Sequence, residues 1–244
     1  MSQPFHFKQF SVEQDRCAMK IGTDGVLLGA WATIPSACFS ILDVGAGTGL
    51  IALQLAQRSN AELIDALEID ESAYEQCVEN FENSPWGDRL FCYHAGFDEF
   101  VEEMEEERYD LIVSNPPFYS EDHKSADKAR DTARFNHALP FELLLDGVSQ
   151  LLADEGIFAT ILPRKEEEQF ISMAAERNLF PIRICRVKGT DLPNRGKEAG
   201  EKRSLMEFSF GSSVPEITQL TIEKERHNYT EEYRKLVEDF YLKL

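Results

Sequence analysis

Four consecutive residues have the types and order needed to orient an amine for reaction: Asn115, Pro116, Pro117 and Phe118. The prolines fix the backbone and lack N–H donors, so the Asn115 side-chain oxygen and the Pro116 carbonyl oxygen can act as fixed acceptors. An exocyclic amine on a planar ring is a poor nucleophile because its lone pair is delocalised. Two acceptors that hold both N–H bonds would direct that lone pair at an electrophile, by orientation and electrostatics rather than by proton abstraction.

The same segment offers aromatic rings beside the two prolines. Phe118 or Tyr119 would let a planar substrate group stack. The alternative is a rigid Pro-Pro turn next to a core aromatic residue. The segment follows residues 109–113, a continuous apolar run typical of a buried parallel strand. This position at a strand end favours the functional interpretation.

An acidic residue followed by a glycine-rich loop predicts a nucleotide site. Asp43 precedes Gly45, Gly47 and Gly49, between a buried strand near residues 39–42 and an amphipathic helix. Glycines let the backbone turn sharply against a ligand, and free N–H groups at the helix start attract a negative group. The spacing differs from the G-x-G-x-x-G fingerprint, and Asp43 would repel a pyrophosphate but pair with an ammonium. We therefore predict S-adenosylmethionine as the ligand, with an ordinary glycine-rich turn as the alternative.

The second strand, predicted over residues 63–68, supports the nucleotide interpretation. It ends in Glu68, about twenty residues beyond the glycines, where nucleotide-binding folds place the acid that accepts the ribose hydroxyls. Asp70 is close enough to share this role. A solvated acid at a strand end is the alternative.

Two further segments are candidates for cofactor contact. The turn from Gly22 to Gly25 opens an apolar helix with Thr23 or Asp24 as its N-cap, or it closes over the amino-acid end of the cofactor. The predicted cofactor residues in this turn region are Lys20, Gly22, Thr23 and Asp24. A third strand over residues 90–94 exits at Phe97 and Asp98, which either contact adenine or begin a helix.

Strands that alternate with helices predict an α/β fold with a doubly wound, mostly parallel sheet and an antiparallel C-terminal hairpin strand. A fifth strand is expected over residues 157–162, a last strand over 205–210 and an amphipathic helix over 230–244. Residues 5–12 alternate aromatic and polar side chains, which indicates a short strand or hairpin outside the main sheet. We expect residues 1–35 to form a hairpin and helix extension of a single catalytic domain, 36–244.

Composition narrows the compartment and the chemistry. The chain has 244 residues, of which 43% are hydrophobic, and no apolar stretch approaches the ~20 residues that span a bilayer. The first residues lack a signal-peptide pattern, so we expect a cytoplasmic, soluble protein with no membrane partner. Five scattered cysteines and five scattered histidines predict reduced, buried thiols and no metal site.

A net charge of −19 argues against a large nucleic-acid interface, because phosphate contacts need Lys and Arg. Basic residues are nevertheless clustered, at Lys124, Lys128, Arg130 and Arg134 and again at Arg183, Arg186, Lys188, Arg195, Lys197, Lys202 and Arg203. These patches would suit a small RNA footprint. Arg130 and Arg134 would grip phosphates or order a lid, or simply form a solvated helix face. Residues 188–203 are predicted to form a flexible loop that holds an RNA backbone.

These motifs together resemble those of Rossmann-like, class I S-adenosylmethionine-dependent methyltransferases that modify planar nitrogens. More narrowly, residues 7–10, 20–31, 115–118 and 202–208 resemble the bacterial tRNA adenine-N6 methyltransferases that act on adenine 37 of a valine tRNA. The resemblance runs nearly end to end and implies methyl transfer to N6 of an adenine in the anticodon loop. One departure is Gly96, where many relatives of the wider class carry an acid, which leaves the adenine contact unassigned.

Two other functions remain open at this point. One is methylation of another planar nitrogen, either guanine N2 of ribosomal RNA or a release-factor glutamine amide, although those families usually carry larger N-terminal domains. The other is an RNA-binding or cofactor-sensing module without turnover, which would not need two amine acceptors. We expect no DNA partner and assume a monomer.

Overall fold

The protein is built on one mixed sheet with helices on both faces. The computed structural model describes residues 3–117, 139–190 and 200–243. The strands are β1 (Phe5–His6), β2 (Ser11–Val12), β3 (Ser40–Val44), β4 (Leu63–Glu68), β5 (Leu90–His94), β6 (Tyr109–Ser114), β7 (Leu152–Pro163), β8 (Phe180–Thr190), β9 (Glu201–Ser209), β10 (Glu216–Glu225) and β11 (Asn228–Tyr229). The helices are α1 (Thr23–Trp31), α2 (Leu50–Arg58), α3 (Glu71–Glu82), α4 (Phe97–Glu103), α5 (Phe141–Leu151), α6 (Glu167–Ala175) and α7 (Glu231–Val237).

The strand order confirms the predicted fold class. Within the described residues, nine strands pair in the order β11-β10-β8-β9-β7-β6-β3-β4-β5. β7, β6, β3, β4 and β5 are parallel neighbours, whereas β9 runs antiparallel to both β7 and β8. Strand order reverses between β3 and β6, which is the switch point where open α/β sheets bind ligands.

Burial explains why the central strands read as unbroken apolar runs. All five residues of β3 are buried, because helices cover both faces of the sheet. One core cluster joins the sheet to α1, α2 and α7, and a second joins it to α4, α5 and α6. Asp65 is a polar exception in β4, and it accepts a hydrogen bond from the Tyr109 hydroxyl at 2.6 Å.

The residues before α1 form a small separate sheet, as predicted. β1 and β2 pair antiparallel outside the main sheet. Phe7 forms an isolated bridge with Tyr241, and the Lys8 amide donates to the Phe240 carbonyl at 2.8 Å. The hairpin therefore rests on the segment that follows α7. The division of the chain at residue 35 stays a prediction.

Several predicted boundaries are wrong. Helix α1 is capped by Gly22 without a side-chain hydrogen bond, so neither Thr23 nor Asp24 is its N-cap. Strands β8 and β9 extend over 188–190 and 201–203, which were predicted as loop, because their backbones pair with each other. The strand at 201–209 is not the last, since β10 and β11 follow it. The final helix ends at Val237, and its N-cap is Thr230, which accepts from the Tyr233 amide.

The described ranges contain no helix that is both long enough and apolar enough to cross a bilayer. Within them there is also no group of three or more His, Cys, Asp or Glu side chains suited to a metal ion. All five cysteines are free thiols, and Cys38 and Cys92 are partly exposed, which differs from the expectation that all are buried.

Candidate active site

A pocket opens at the carboxyl ends of β3, β4, β5 and β6, and its volume is about 230 Å³. Nine of the residues predicted for the site line it: Gly45, Gly47, Glu68, Asp70, Phe97, Asp98, Asn115, Pro116 and Pro117. Parallel strands bring their carboxyl ends to the same edge of a sheet, so residues far apart in sequence meet there. The glycine loop, the acid of β4 and the two-proline segment therefore share one cavity.

The three glycines of the loop have different roles. All three have positive φ, at +77° for Gly45, +56° for Gly47 and +78° for Gly49. A Cβ at Gly45 or Gly47 would meet nothing within 4 Å, whereas one at Gly49 would lie 2.5 Å from the Phe81 ring and 2.8 Å from the Cys77 sulfur. Gly45 and Gly47 thus leave bare backbone on the pocket, and Gly49 allows α3 to pack against the loop.

Asp43 lies buried behind the glycine loop. It is fully buried, and its Oδ2 accepts from the Ala52 amide at 3.1 Å, while Oδ1 has no protein partner. Burial raises the pKa of this carboxyl to about 7. Asp43 does not itself line the pocket, so any interaction with a ligand ammonium would have to pass through water or a shift of the side chain.

The Glu68 side chain is fixed at the end of β4 by hydrogen bonds from two backbone amides. Its two carboxylate oxygens accept from the Gly47 amide at 2.8 Å and from the Asp70 amide at 2.9 Å. Asp70 caps α3 by accepting from the Ala73 amide at 2.9 Å. Glu68 is therefore oriented by the backbone beside the glycine loop, and Asp70 combines a capping role with a place on the pocket wall.

Asn115 and Pro116 sit directly after β6. The Ser114 hydroxyl donates to the Val44 carbonyl at 2.9 Å, which ties the end of β6 to the start of the glycine loop. Helix α1 packs closely on this point, because a Cβ at Gly25 would lie 3.9 Å from the Asn115 side-chain nitrogen. The two-proline segment is thus fixed on both sides.

Four residues predicted to contact substrate lie outside the described residues: Phe118, Tyr119, Arg130 and Arg134. The same holds for Lys124, Lys128, Arg195 and Lys197 in the predicted basic patches. Their roles stay predictions.

The segment Cys17–Met19 also lines the pocket, and sequence reasoning missed it. We call residues 13–19 the strap. Two buried side chains of α3 hold it: Gln76 accepts from the Arg16 amide at 3.0 Å, and Asn80 accepts from the Glu13 amide at 2.8 Å. No sequence motif marks the strap. The residues that hold it, Gln76 and Asn80, are polar positions of α3, and α3 has the sequence pattern of an ordinary amphipathic helix.

An apolar wall faces the strap. It comprises Ile69, Phe97, Leu139 and Leu143. Ile69 and Met19 are 46% and 47% exposed, which is unusual for side chains of this type beside one cavity. Asp98 is the second residue of α4, which begins shortly after β5, and its side chain is exposed. This wall offers the apolar surface that a nucleobase would cover.

The turn before α1 does not join this pocket. Lys20 is exposed, and Gly22 and Thr23 line a different cavity. Asp24 pairs with Arg203, whose Nε lies 2.8 Å from its Oδ2. The four residues predicted as cofactor contacts there are therefore neighbours of the pocket rather than part of its lining.

The basic cluster on β8 and β9 is largely neutralised by ion pairs. Arg183 pairs with Glu207 at 2.9 Å, and Arg186 pairs with buried Glu167 at 2.8 Å. Lys202 is exposed beside Arg203. Pairing with carboxylates reduces the positive charge that these arginines offer to phosphate.

The pocket fits a nucleotide that carries an amino-acid group. Bare backbone at Gly45 and Gly47 leaves room for close approach, and Glu68 supplies acceptors for ribose hydroxyls. The apolar wall suits a base, and Asn115 and Pro116 lie beside these groups on the same cavity. The arrangement can therefore hold a cofactor and a planar amine next to each other.

Similar proteins share this fold. Residues 26–138 match the family described as "Methyltransferase small domain". Among solved structures, a predicted O-methyltransferase from Agrobacterium tumefaciens has a TM-score of 0.64 at 18% identity, covering 89% of this chain and 96% of that one. A type I restriction-modification methyltransferase subunit from Streptococcus thermophilus has a TM-score of 0.60 at 16% identity, and the match covers 91% of this chain and 54% of that one. At such identities the likeness shows the fold alone.

Curated relatives match over the full length. Proteins named tRNA1(Val) (adenine(37)-N6)-methyltransferase include one from Christiangramia forsetii, 62% identical over 100% of this chain and 99% of its own. One from Flavobacterium johnsoniae is 60% identical over 98% of this chain and 100% of its own length. One from Yersinia enterocolitica is 41% identical over 98% of this chain and 92% of its own length. Coverage of the whole chain means that the match to the first of these relatives includes the strap, the pocket and the last strands. The chain therefore belongs to the family of tRNA1(Val) (adenine(37)-N6)-methyltransferases.

Proposed function

We propose that this protein transfers a methyl group from S-adenosylmethionine to N6 of adenine 37, beside the anticodon of tRNA1(Val). The observation that carries the proposal is the shared pocket, in which Asn115 and Pro116 lie beside the glycine loop and Glu68. The substrate follows from relatives of that name that are up to 62% identical over the whole chain. No observation favours the ribosomal RNA or release-factor alternatives.

The cofactor is assigned to the glycine loop and the apolar wall. Glu68 accepts the ribose hydroxyls, exchanging its present hydrogen bond from the Gly47 amide for one from the ligand. Ile69, Phe97 and Leu143 enclose the adenine ring of the cofactor. They are our candidates for the adenine contact that the sequence left unassigned. The backbone at Gly45 faces the amino-acid portion, and Asp43 supports that end from behind the loop.

Asn115 and Pro116 act on the substrate amine. S-adenosylmethionine supplies an electrophilic methyl group when it is bound. The Asn115 side-chain oxygen and the Pro116 carbonyl accept the two N–H bonds of the adenine amine, which turns the nitrogen lone pair towards the methyl donor. Pro117 removes a competing N–H donor and keeps the segment rigid. Phe118 stacks on the adenine ring in this proposal, with Tyr119 as its neighbour.

Recognition of tRNA rests on an unpaired target base. A base in the anticodon loop needs no unpairing, so its extrusion costs less than flipping a base from a duplex. Arg130, Arg134, Lys202 and Arg203 contact flanking phosphates in this proposal. The ion pairs of Arg183 with Glu207 and of Arg186 with Glu167 are consistent with a modest phosphate footprint. We further propose that residues 1–35 serve as an extension of a catalytic domain over 36–244 and that the protein acts as a cytoplasmic monomer.

The test is a methylation assay with labelled S-adenosylmethionine. Total tRNA from a strain that lacks the gene is incubated with the protein, digested, and analysed for modified nucleosides. We expect N6-methyladenosine that maps to adenine 37 of tRNA1(Val). Ribosomal RNA and release factor are offered in parallel, and label in either one with none in tRNA would refute the substrate while keeping the reaction class.

A further inference from the structure

A second cavity lies on the other side of the start of α1 and has a volume of about 520 Å³. Its lining includes Phe5, Tyr229, Tyr233 and Tyr241, together with Thr23 at the start of α1. We propose that this cavity is an RNA subsite, which receives a base of the anticodon loop that neighbours the target adenine. The inference deepens the proposed function and rests on it.

The cavity is adjacent to the amine-binding segment. Thr23 lines the cavity, and Gly25, two residues further along α1, would place a Cβ 3.9 Å from the Asn115 side-chain nitrogen. Two residues of a helix advance only ~3 Å along its axis. Asp24, between them, pairs with Arg203 on β9 at 2.8 Å. The cavity and Asn115 therefore lie within a few residues of each other across α1, and in this proposal the nucleotide next to the target adenine reaches the cavity.

The aromatic lining suits a splayed base. The rings of Tyr229 and Tyr233 lie 5.2 Å apart at 34°, and Phe5 meets Tyr241 edge-on at 6.1 Å. Single-stranded bases extruded from a loop are commonly held by stacking on such rings. Burial raises the pKa of Tyr233 and of Tyr241, and the two hydroxyls are hydrogen-bonded to each other. Three partly exposed rings, Phe5, Tyr229 and Tyr241, thus converge on one opening, and buried Tyr233 packs against Tyr229.

The polar lining also matches a nucleotide better than a purely apolar ligand. Lys243 and Glu223 lie on the same cavity with Thr23. A lysine offers an ammonium to phosphate, while a carboxylate and a hydroxyl offer acceptors to the N–H groups of a base edge. A hydrocarbon or an apolar peptide face would offer no partner to the Lys243 ammonium or to the second carboxylate oxygen of Glu223, whose Oε1 accepts from the His227 amide at 3.3 Å.

The first experiment uses the wild-type protein and a set of tRNA1(Val) anticodon stem-loops. Each stem-loop carries one abasic nucleotide in the loop, and the dissociation constant is measured by fluorescence anisotropy. We expect an abasic nucleotide at one position beside adenine 37 to weaken binding about tenfold, since base–aromatic stacking contributes at the level of ~1–3 kcal/mol per base. Abasic substitution of more distant loop positions should have little effect. Because no protein variant is involved, folding cannot confuse this result.

The second experiment assigns the effect to the cavity. Tyr229→Ala removes a partly exposed ring, and Tyr229→Phe keeps the ring and serves as the matched control. We expect Tyr229→Ala to raise the KM for tRNA about tenfold, with the KM for S-adenosylmethionine and kcat nearly unchanged, and Tyr229→Phe to resemble the wild type. The sensitive abasic position should no longer matter in Tyr229→Ala, because the lost ring and the lost base belong to one contact. Melting temperatures confirm that both variants fold.

The outcomes separate this inference from the proposed function. If the wild type methylates tRNA but no abasic position next to adenine 37 weakens binding, the subsite is refuted and the methylation stands. Equal behaviour of the two Tyr229 variants, or additive losses in the combined experiment, would also refute it. If the wild type methylates no tRNA, the proposed function fails first and the subsite fails with it.

Discussion

Asn80 and Glu13 exchange a pair of hydrogen bonds, although 67 residues separate them in the chain. The Asn80 side chain accepts from the Glu13 amide at 2.8 Å and donates to the Glu13 carbonyl at 3.0 Å. The same side-chain nitrogen donates to the Thr48 carbonyl at 2.9 Å. One buried amide on α3 therefore sets the position of the strap relative to the glycine loop, and with it the width of the cofactor pocket.

Replacement of Asn80 by Ala should weaken cofactor binding more than it slows the reaction. The variant loses three hydrogen bonds and leaves backbone groups of the strap without partners, which costs roughly 1–3 kcal/mol for each buried group. We expect the KM for S-adenosylmethionine to rise about tenfold, with kcat within about threefold of wild type. Asn83→Ala, on the exposed end of the same helix, is the control and should change neither value. A lower kcat at unchanged KM would contradict the positioning role.

Glu68→Gln tests the ribose contact. The amide keeps the size of the side chain but loses one acceptor and the negative charge, so it cannot accept from two ribose hydroxyls and the backbone as the carboxylate does. Isothermal titration calorimetry should show S-adenosylmethionine affinity reduced roughly tenfold to a hundredfold. Glu62→Gln, at an exposed position before β4, provides the control. Equal affinities for the two variants would remove Glu68 from the site.

Asn115→Ala separates cofactor binding from methyl transfer. The glycine loop and Glu68 are untouched, so the affinity for S-adenosylmethionine should remain within about threefold. Loss of a preorganised acceptor typically reduces kcat by ~10²–10³, and single-turnover methylation of tRNA measures this directly. Unchanged turnover would show that another group accepts from the substrate amine.

Alanine at two glycines of the loop should have different main effects: a loss of stability at Gly49 and a loss of cofactor affinity at Gly45. Gly49→Ala places a Cβ 2.5 Å from the Phe81 ring at a φ of +78°, so we expect a destabilisation of roughly 2–4 kcal/mol. Gly45→Ala has a φ of +77° but nothing within 4 Å, so only the backbone strain of about 1 kcal/mol should reduce its stability. Its Cβ would nevertheless occupy ligand space and reduce cofactor affinity. Thermal unfolding and calorimetric titration of both variants check the contrast, and similar melting temperatures would contradict it.

Asp43 predicts a specific dependence of stability on pH. Burial raises the pKa of this carboxyl to about 7 in the folded protein, whereas in the unfolded chain it ionises near 3.8. Between these values the folded state holds the proton more tightly, so the contribution of Asp43 to stability falls as pH rises towards 7 and is constant above it. Asp43→Asn cannot ionise, so the free energy of unfolding of the variant minus that of wild type should increase from pH 4 to pH 7.

The size of that increase is at most roughly 4 kcal/mol, at about 1.4 kcal/mol for each pKa unit. Chemical denaturation at several pH values measures it. Asp110→Asn is a useful comparison, because Asp110 also accepts backbone hydrogen bonds but lies at the partly exposed start of β6. A difference between wild type and Asp43→Asn that does not change with pH would show that Asp43 is ionised throughout.

Local patterns were enough to predict the half of the fold that lines the pocket. β4 and β5 match their predicted bounds at Leu63–Glu68 and Leu90–His94, because buried parallel strands read as short apolar runs between turns. The outlying strand β10 was missed, because seven of its ten residues are polar or charged and most of them are exposed. Its place in the sheet comes from parallel pairing with β8, which no short-range signal reveals.

The same division holds for the site. Gly45, Gly47, Glu68 and Asn115 were predictable because each follows a strand in a fixed order, and a parallel sheet brings those strand ends together. The strap was not predictable, because it is held beside the pocket by hydrogen bonds from the Glu13 and Arg16 amides to side chains of α3. Side-chain to backbone contacts across 60 or more residues leave no periodic trace in a sequence.

The bridge between Phe7 and Tyr241 has a consequence for the order of events during translation. The hairpin is among the first segments to leave the ribosome, but its resting place includes the carbonyl of Phe240, which is synthesised more than 200 residues later. The strands that carry the glycine loop and Asn115 can pair well before that point, since domains generally begin to fold from the N-terminal side. The hairpin gains these two backbone contacts only after residue 241 has emerged. A chain that ends before residue 240 therefore keeps the hydrogen bonds between the strap and α3 but lacks the backbone contacts that dock the hairpin.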